Sequence, residues 1–442
     1  MDDTVPLTGN LARDEKSFAG YWADGAAKLA SLPPKPQRNA EEAAEATRLK
    51  TAVRAARERF LSAHAEAVYD ALTANGQRFV RLEALVYDAA EAFAGLTPSR
   101  LTVDAEAGLD QGDKDGAEID QGIFLAHVLG VPRTGRHLCH AMLLALPQSV
   151  EAAAKFSADR RLDLGPVSLE RRGRAVLLTN SNPRFLNAED NTTLEAMEVA
   201  VDVAILDPHS EIIVMRGGVV EHPKYAGRQL LGAGINLTRL YRGDIPFEWF
   251  MRRDLGFVHK LFRGVASPDA SPDDIAGRTA EKPLVTVVEG FAIGGHCQLL
   301  LVSDYVLAAA DAYVTLPARK EGIIPGMANL RLPRFLGDRM ARQAIQYERR
   351  FDCDSAEGRL LCDEIVDPGD MDAAIDTVIA GLTNAGAVSA VGNRRAFRIG
   401  AEPLDAFRCY ASVYAREQAY CHFSPALIAN LERNWDARSR AV

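Results

Sequence analysis

Two short glycine-rich segments carry the residues whose types and spacing are best suited to chemistry. They are LGAGINL, residues 231–237, and GFAIGGHCQL, residues 290–299. Each places small residues where an apolar strand is expected to end and a helix to begin. Backbone N–H groups at such a junction have no partner inside the helix and can donate to an anion. Two N–H groups that converge on one point form an oxyanion hole, which suits the enolate of a thioester.

Strands that alternate with helices are expected to hold these two segments in place. Apolar runs at 211–215, 284–288 and 305–310 predict buried strands, and 166–170 with 175–179 predicts a hairpin. Helical spacing returns from Asn191, and a buried helix is expected over 296–301. This alternation predicts an α/β domain.

The first third of the chain is predicted to be helical. Helices are expected over 40–72, 81–96, 122–129 and 137–156, the last with a break at Pro147. The acidic, glycine-rich interval 104–120 is expected to be an exposed loop. This region is either helical packing that covers the second domain, or a lid or assembly surface. Three segments are therefore predicted: a helical N-terminal domain 1–160, an α/β core 161–370 and a helical C-terminal subdomain 371–442.

Composition and charge argue against several classes of function. The formal net charge of −9 disfavours non-specific binding to nucleic acid or to an anionic membrane. No window resembles a membrane span, and the polar N-terminus lacks the apolar segment of a signal peptide, so a cytoplasmic location is expected. The six cysteines form no CxxC pair, which disfavours a thiolate zinc site.

Five stretches in order resemble the crotonase (enoyl-CoA hydratase/isomerase) superfamily over roughly residues 167–400. PRFLNAEDNTTLEAM (183–197) resembles the family's RPxxxNAL segment, LGAGINL its AGADL-type loop and GFAIGGHCQL its NGxAxGGGxEL loop. EGIIPGMANLRLPRFLG (321–337) resembles the G-[IL]-x-P-G segment, and RRFDCDSAEGRLLCDEIVDP (349–368) resembles the GRxFxAxEAxxxGLVDEVVP run. The resemblance implies an α/β fold with a crotonase-type ββα spiral core. It also implies a coenzyme A thioester as ligand and a homo-oligomer, either a trimer or a dimer of trimers.

The resemblance also implies roles for particular residues. The two oxyanion-hole N–H groups fall at Ile235 and Gly295, and Gln298 follows on the next helix. The family contacts coenzyme A just before the first loop, and Pro183 falls beside the adenine end. The implied binding residues are Pro183, Glu189, His222, Pro223, Lys224, Tyr225, Ala233, Gly234, Ile235, Asn236, Leu237, Thr238, Arg253, Gly295 and Gln298.

Two departures from the family's pattern argue against hydration. Hydratases carry glutamates at the positions matched here by Gln298 and Ala318. Neither side chain can transfer a proton as a carboxylate does, so activation of water for alkene hydration is not expected. Ile235 and Asn236 stand where many members have alanine and aspartate, which predicts a dry site that is poor in carboxylates.

With Gln298, Ile235 and the large helical N-terminal region, the chain is similar to one branch of the family. That branch comprises the cofactor-independent dioxygenases of vancomycin-type antibiotic biosynthesis. The similarity implies that O₂ converts 3,5-dihydroxyphenylacetyl-CoA into 3,5-dihydroxyphenylglyoxylate and free coenzyme A, without metal, flavin or haem. Glu189 and Arg253 are then expected around the ring hydroxyls, and Gln298 is expected to bind a peroxide or a ring hydroxyl.

Structural alternatives stay open for these residues. Glu189 could be a partner of a helix N-terminus, Arg253 a surface charge and Gln298 a buried amide that caps backbone. Cys297 is either a nucleophile or, as we favour, a packing residue. A metal site is disfavoured, since the His-x-acid triplet His209-Ser210-Glu211 sits at the entry to a predicted strand and His137 and His140 lack an obvious third ligand.

Two other functions remain alternatives. A thioester hydrolase or isomerase of the same family would use the two N–H donors without O₂. A scaffold that kept the fold and lost the chemistry would explain the missing glutamates. The intact glycine loops argue against the scaffold, which does not need them.

Overall fold

The computed structural model describes residues 5–274 and 278–440, which divide into two compact units. Within the described part, Met1–Met142, Arg239–Met251 and Arg408–Val442 form a helical unit. Leu143–Thr238 and Arg252–Phe407 form a second unit, which contains the strands. This grouping crosses the predicted boundaries, because the last helices pack with the first ones. The three-part division by chain order stays a prediction.

The helices and strands follow one another in short elements after residue 160. The α-helices are α1 (Leu11–Ala30), α2 (Ala40–Thr73), α3 (Leu82–Ala92), α4 (Arg100–Ala107), α5 (Ile119–Gly130), α6 (Pro132–Leu143), α7 (Pro147–Asp159), α8 (Leu194–Leu206), α9 (Leu237–Tyr241), α10 (Phe247–Leu255), α11 (Phe257–Arg263), α12 (Gly295–Leu300), α13 (Ala318–Glu321), α14 (Ala328–Arg331), α15 (Pro333–Tyr347), α16 (Met371–Thr383), α17 (Ala387–Ala401), α18 (Leu404–His422) and α19 (Pro425–Trp435). The strands are β1 (Arg161–Asp163), β2 (Val167–Arg172), β3 (Ala175–Asn180), β4 (Ile212–Gly217), β5 (Val265–Ala266), β6 (Thr279–Ala280), β7 (Leu284–Val288), β8 (Phe291–Ile293), β9 (Tyr305–Ala309), β10 (Tyr313–Thr315), β11 (Phe351–Asp352) and β12 (Glu364–Val366).

The helical unit is built on the pair α1 and α2. Helix α2 begins at a capping box between Asn39 and Glu42, and its apolar stripe faces α1. Phe18, Trp22 and Phe60 form an aromatic cluster with ring centroids 5.4–5.8 Å apart. The predicted helices over 40–72, 81–96 and 122–129 are confirmed as α2, α3 and α5, and the predicted break at Pro147 separates α6 from α7.

The prediction of an exposed loop over 104–120 is right only in part, since residues 104–109 are mostly exposed but many of residues 111–120 are buried. Helix α4 extends into this interval, and the side chains of Lys114 and Glu118 are buried. Lys114 Nζ donates to Gly243 O at 2.6 Å, and the Glu118 carboxylate accepts from Phe247 N–H at 2.6 Å. Burial raises the pKa of Glu118 to about 7. The charges and glycines of this interval are typical of a surface loop. Lys114 and Glu118 are nevertheless buried, because backbone groups of the helical unit satisfy their polar atoms.

A seven-stranded mixed sheet forms the centre of the second unit. Its order is β1-β2-β3-β4-β7-β9-β12. β1, β2 and β3 are antiparallel, whereas the steps from β3 to β12 are all parallel. The predicted hairpin and the three predicted strands are confirmed as β2–β3, β4, β7 and β9. Strand β7 is buried along its whole length, as a strand covered on both faces should be. Fold class α/β is therefore confirmed.

The second glycine segment links this sheet to a smaller one. Strand β7 ends at Val288, and β8 pairs in parallel with β10, which pairs with β11. The helix expected over 296–301 is confirmed as α12. The turn from β8 into α12 is held by the smaller sheet, since Gly294 N–H donates to Thr315 O of β10 at 2.9 Å.

The C-terminal helices of the second unit carry buried arginines. Arg394 and Arg398 of α17 form ion pairs with Glu281, whose side chain is fully buried.

No single helix in the described part of the chain is long and apolar enough to cross a membrane. Pro368–Thr383 and Ala387–Ala401 meet that test of length and composition only as a pair bent by 89°.

A buried ion cluster joins helix α8 to helix α11. Lys260 Nζ lies 2.9 Å from Glu198 Oε1 and 2.8 Å from Asp202 Oδ1, and all three side chains are fully buried. Asp202 also accepts from Leu146 N–H and from Ser149 Oγ. Burial raises the pKa of Asp202. A single ammonium thus holds two carboxylates of one helix.

We expect Lys260→Met to lower the free energy of unfolding by about 3–5 kcal/mol, because it leaves two buried carboxylates without their cation. Thermal unfolding followed by circular dichroism measures the change. The matched control is Lys28→Met, which removes an exposed pair with Asp24 and should change the melting temperature little. Equal melting temperatures for the two variants would contradict a stabilising role for the buried cluster.

Candidate active site

The two glycine-rich segments lie side by side in the second unit. Gly232 N–H donates to Phe291 O at 3.4 Å, and Ile293 N–H donates to Gly232 O at 3.1 Å. A methyl group placed on Gly234 would lie 2.9 Å from Ile293 O and 3.1 Å from Gly295 N. The absence of a side chain there is what allows the loop before Ile235 to touch the loop at Gly295.

Two backbone donors next to this contact are left without partners. Across residues 5–274 and 278–440, neither Ile235 N–H nor Gly295 N–H donates a hydrogen bond. Gly234 O accepts from Glu189 N–H at 2.7 Å, so the Ile235 N–H on the other side of that trans peptide points away. Gly294 O accepts from Gln298 N–H at 3.2 Å, which orients the Gly295 N–H in the same manner. Both donors are available to a ligand.

Glu189 and Arg253 form a buried ion pair directly over Gly295. Arg253 Nε donates to both carboxylate oxygens of Glu189 at 3.0 Å. Arg253 Nη2 donates to Gly295 O at 2.8 Å. A methyl group on Gly295 would lie 2.2 Å from Glu189 Oε2, so only glycine leaves room for the carboxylate. The pair therefore borders the free N–H of the second loop.

Arg253 also organises two further side chains. Its Nη1 donates to Gln298 Oε1 at 2.9 Å and to Asp254 Oδ1 at 3.0 Å. Because the arginine takes the amide oxygen of Gln298, the orientation of the Gln298 amide is fixed. Gln298 Nε2 donates to no residue of the described chain, which leaves this N–H₂ group for a ligand.

The structure does not support the alternative of Glu189 as a partner of a helix N-terminus. Helix α8 begins at Leu194, and Asn187 adopts a left-handed conformation with φ of 57°. Glu189 instead bridges in parallel to Ile235, donating its N–H to Gly234 O and accepting from Asn236 N–H at 2.8 Å. The alternative of Arg253 as a surface charge is also wrong, since it is 3% exposed.

The residues predicted to contact coenzyme A lie on one connected stretch. Glu221 N–H donates to Pro183 O at 3.1 Å, which brings Pro183 next to the segment of His222 and Pro223. Lys224 is exposed, with Nζ 5.1 Å from the centre of the Tyr225 ring. The structure thus brings these five predicted residues together.

The remaining predicted binding residues continue from the first loop into α9. Ala233 N–H donates to Leu186 O at 3.1 Å. Asn236 Nδ2 donates to Asp190 Oδ2 at 2.9 Å, and Leu237 begins α9. Asn236 and Thr238 are buried, so their side chains pack inside the protein beneath the loop.

Ala318 and Cys297 are two further positions singled out by the sequence. Ala318, at the place of a hydratase glutamate, is buried. Cys297 is buried, and burial raises the pKa of its thiol to about 12, which favours the packing alternative over a nucleophile. Among the residues the structure describes, no group of three or more His, Cys, Asp or Glu is placed to hold a metal ion.

Sequence reasoning missed the polar residues that lie behind the site. His296 accepts from Gly234 N–H, and Asn180 contacts both His296 and Asn187. Asp254 was also missed: it is 1% exposed and accepts a hydrogen bond from Arg253 Nη1. The one available signal was the departure of His296 from the GGG run of the family's loop.

Comparison with known proteins defines the class. The model of the enoyl-CoA hydratase/isomerase family matches residues 275–401. A crystal structure of an enoyl-CoA hydratase from Mycobacterium avium subsp. paratuberculosis K-10 superposes with a TM-score of 0.50 at 20% identity, covering 61% of this chain and 98% of that one. The chain belongs to the enoyl-CoA hydratase/isomerase, or crotonase, family, as its motifs predicted.

Within the family, one relative matches most of the chain. The (3,5-dihydroxyphenyl)acetyl-CoA 1,2-dioxygenase of Amycolatopsis orientalis is 45% identical over 392 residues, which cover 88% of this chain and 89% of that enzyme. A short-chain-enoyl-CoA hydratase of Clostridium acetobutylicum is 26% identical over 212 residues, covering 48% of this chain and 72% of the hydratase. The similarity to the dioxygenase therefore extends well beyond the segment shared with hydratases.

We expect Glu189→Gln and Arg253→Met to be strongly non-additive in stability, because each leaves the other's buried group unpaired. A double-mutant cycle on the free energy of unfolding should give a coupling of about 0.5–3 kcal/mol. Arg252→Met, combined with Glu189→Gln, is the matched control and should be additive. An additive Glu189–Arg253 pair would show that the ion pair is not formed in solution.

Proposed function

We propose that this protein is a cofactor-independent dioxygenase that acts on 3,5-dihydroxyphenylacetyl-CoA. The products are 3,5-dihydroxyphenylglyoxylate and free coenzyme A. The observation that carries the proposal is the pair of free N–H donors at Ile235 and Gly295, bordered by the buried Glu189–Arg253–Gln298 group. The 45% identity to a dioxygenase of this substrate supports the choice of substrate.

The two N–H donors form an oxyanion hole for the thioester oxygen. A CH₂ group between an aromatic ring and a thioester is acidic for a carbon acid, and its enolate places negative charge on that oxygen. A preorganised donor contributes about 3 kcal/mol to such an anion. The carbonyls of Gly234 and Gly294 already accept other hydrogen bonds, so the donors need no rearrangement when charge develops.

The enolate is the reductant for O₂. It passes one electron to O₂, and the two radicals combine to form a Cα–O bond and a peroxide anion. The distal oxygen attacks the thioester carbonyl, and the C–S bond breaks to release coenzyme A as thiolate. Loss of the remaining Cα proton with cleavage of the O–O bond gives the α-keto acid. Both atoms of O₂ enter this product and no water is consumed. Of the two protons that leave Cα, one protonates the thiolate and the other is released to solvent.

The surroundings of the hole suit this chemistry better than hydration. Gln298 and Ala318 stand where hydratases carry glutamates, so no carboxylate is placed there to activate water. The Ile235 side chain and the aromatic ring of Phe291 are buried beside the loops. An apolar pocket that excludes water protects the carbanion from protonation.

The carboxylate of Glu189 is proposed to accept a ring hydroxyl of the substrate. Arg253 Nε uses only part of its capacity as an acceptor, since each carboxylate oxygen has two lone pairs. Gln298 Nε2 is proposed to donate to the peroxide or to the second ring hydroxyl. Arg253 holds both groups in position.

Further proposals concern the ligand's other end and the assembly. Pro183, His222, Pro223, Lys224 and Tyr225 are proposed to bind coenzyme A, with Ala233 to Thr238 lining the path to the hole. No metal, flavin or haem is proposed as cofactor. We also propose a cytoplasmic homo-oligomer, either a trimer or a dimer of trimers.

The decisive experiment is O₂ uptake by the purified protein with 3,5-dihydroxyphenylacetyl-CoA, after dialysis against a chelator. We expect one O₂ consumed for each free thiol released, unchanged by the chelator. With ¹⁸O₂, two labelled atoms should enter the keto acid. Thiol release without O₂ uptake would make the protein a hydrolase, and uptake lost on chelation would show a metal requirement. If the protein shows no turnover and the thioester does not change its melting temperature, the scaffold alternative remains.

We expect Gln298→Glu to lower kcat for O₂ uptake about 10- to 100-fold, because it removes a donor and brings a second negative charge to the peroxide. Arg253 can still donate to the new carboxylate, so the fold should be kept. The matched control is Gln343→Glu, where the glutamine likewise accepts from an arginine, Arg349, but on the surface. Wild-type kcat in Gln298→Glu would remove Gln298 from the mechanism.

A further inference from the structure

His296 occupies a position where the family's NGxAxGGGxEL pattern has glycine. It follows Gly295 directly and is 1% exposed. Gly234 N–H donates to His296 Nδ1 at 3.0 Å. A backbone N–H can only donate, so Nδ1 is the acceptor and the ring proton is on Nε2. One side chain of the second loop thereby holds the backbone of the first loop, one residue before Ile235.

The first loop is shaped to receive this ring. A methyl group on Gly232 would lie 2.3 Å from His296 Cε1 and 2.4 Å from Nε2, far inside van der Waals contact. Gly232 is also the residue whose backbone pairs with Phe291 and Ile293. The imidazole therefore fills the space that the missing side chain leaves between the two loops.

The ring fixes the Gly234 residue from one side while Glu189 fixes it from the other. His296 accepts the N–H of Gly234, and Glu189 N–H donates to its C=O at 2.7 Å. That C=O belongs to the same peptide plane as the Ile235 N–H. The direction of the first oxyanion donor thus depends on two hydrogen bonds, only one of which is between backbone groups.

The opposite edge of the imidazole, at Nε2, lies next to residues that contact the segment before Glu189. His296 Nε2 lies 3.0 Å from the side-chain amide nitrogen of Asn180. Because Nε2 carries the ring proton, this is a packing contact between two donors and not a hydrogen bond. Asn180 Nδ2 donates to Asn187 O at 2.9 Å, and Asn187 Nδ2 donates to Gly218 O and Leu230 O at 2.8 Å. All three side chains are buried. The imidazole thus packs between the first loop and Asn180, and Asn180 in turn donates to the turn that precedes Glu189.

His296 Nδ1 must be unprotonated to accept the hydrogen bond from Gly234 N–H. Burial lowers the pKa of His296 to about 4, and Arg253 adds to that effect while Glu189 opposes it. The ring is therefore neutral at neutral pH. A charged ring would turn Nδ1 into a donor facing the Gly234 N–H.

We propose that His296 is a positioning residue that aims the Ile235 N–H at the thioester oxygen, through its hydrogen bond from Gly234. This role rests on the proposed dioxygenase function. His296 does not contact the reacting atoms, so its loss acts on the rate of enolate formation rather than on binding of coenzyme A.

The test compares His296→Phe, which keeps a ring and removes the acceptor, with His296→Asn, whose Oδ1 can accept in place of Nδ1. Two rates are measured: O₂ uptake, and exchange of the substrate's α-protons in D₂O without O₂. We expect His296→Phe to lose roughly 10- to 100-fold in kcat and in exchange, with KM for the thioester little changed. His296→Asn should recover most of the loss. The control is His259→Phe, another buried histidine of this unit, which stacks on Phe407.

The outcomes separate the two proposals. If the wild-type protein neither exchanges α-protons nor takes up O₂, the proposed function fails and takes this inference with it. If the wild-type protein does both and His296→Phe keeps its kcat, the inference alone is overturned, whatever happens to the melting temperature. Should His296→Phe not fold, Gly232→Ala displaces the ring without removing it and should give the same loss of kcat. Wild-type kcat in that variant would also overturn the proposal.

Discussion

Gly232 pairs with Phe291 and Ile293 through two backbone hydrogen bonds, and the rest of the site depends on this contact between two loops. It brings the peptide before Ile235 against Gly295, where any side chain on Gly234 would clash with backbone. Close packing of main chain on main chain leaves little freedom to either loop. Donors held in this way are already oriented before a ligand arrives, which is the condition for electrostatic stabilisation of a transition state.

The charges around the loops are buried but none is isolated. Arg253 binds Glu189, Asp254, Gln298 and the carbonyl of Gly295, so its desolvation is offset by a full set of acceptors. At the described residues of the two loops and α12, the Ile235 N–H, the Gly295 N–H and the Gln298 side-chain N–H₂ group lie close together without partners. Donors that are held in place and left without partners are oriented toward a ligand.

The comparison with hydratases of the same family has a chemical meaning. The backbone donors of the two loops are retained, whereas the two glutamates that would move protons to and from water are absent. A site that can stabilise an enolate but cannot deliver water leaves the carbanion for another electrophile. Molecular oxygen needs no binding group beyond an apolar space. Relative to a hydratase, the proposed reaction therefore depends more on the loss of the two glutamates than on the gain of new side chains.

Local sequence was sufficient for much of the architecture. The apolar runs, the glycine pairs and the proline break identified the strands, the helices, the two loops and the family. These features repeat with the period of a strand or helix, or require φ and space that only glycine allows, so they are legible without the fold. The same patterns misjudged the interval 104–120, where charge indicated solvent but Lys114 and Glu118 are buried against backbone partners. The partner of Arg253 lies 64 residues away, and the contact of His296 with Asn180 spans 116. Sequence determined which residues could serve as donors, acids and acceptors, whereas only the tertiary structure decided which of them meet, because no local period encodes the partner of a buried polar group.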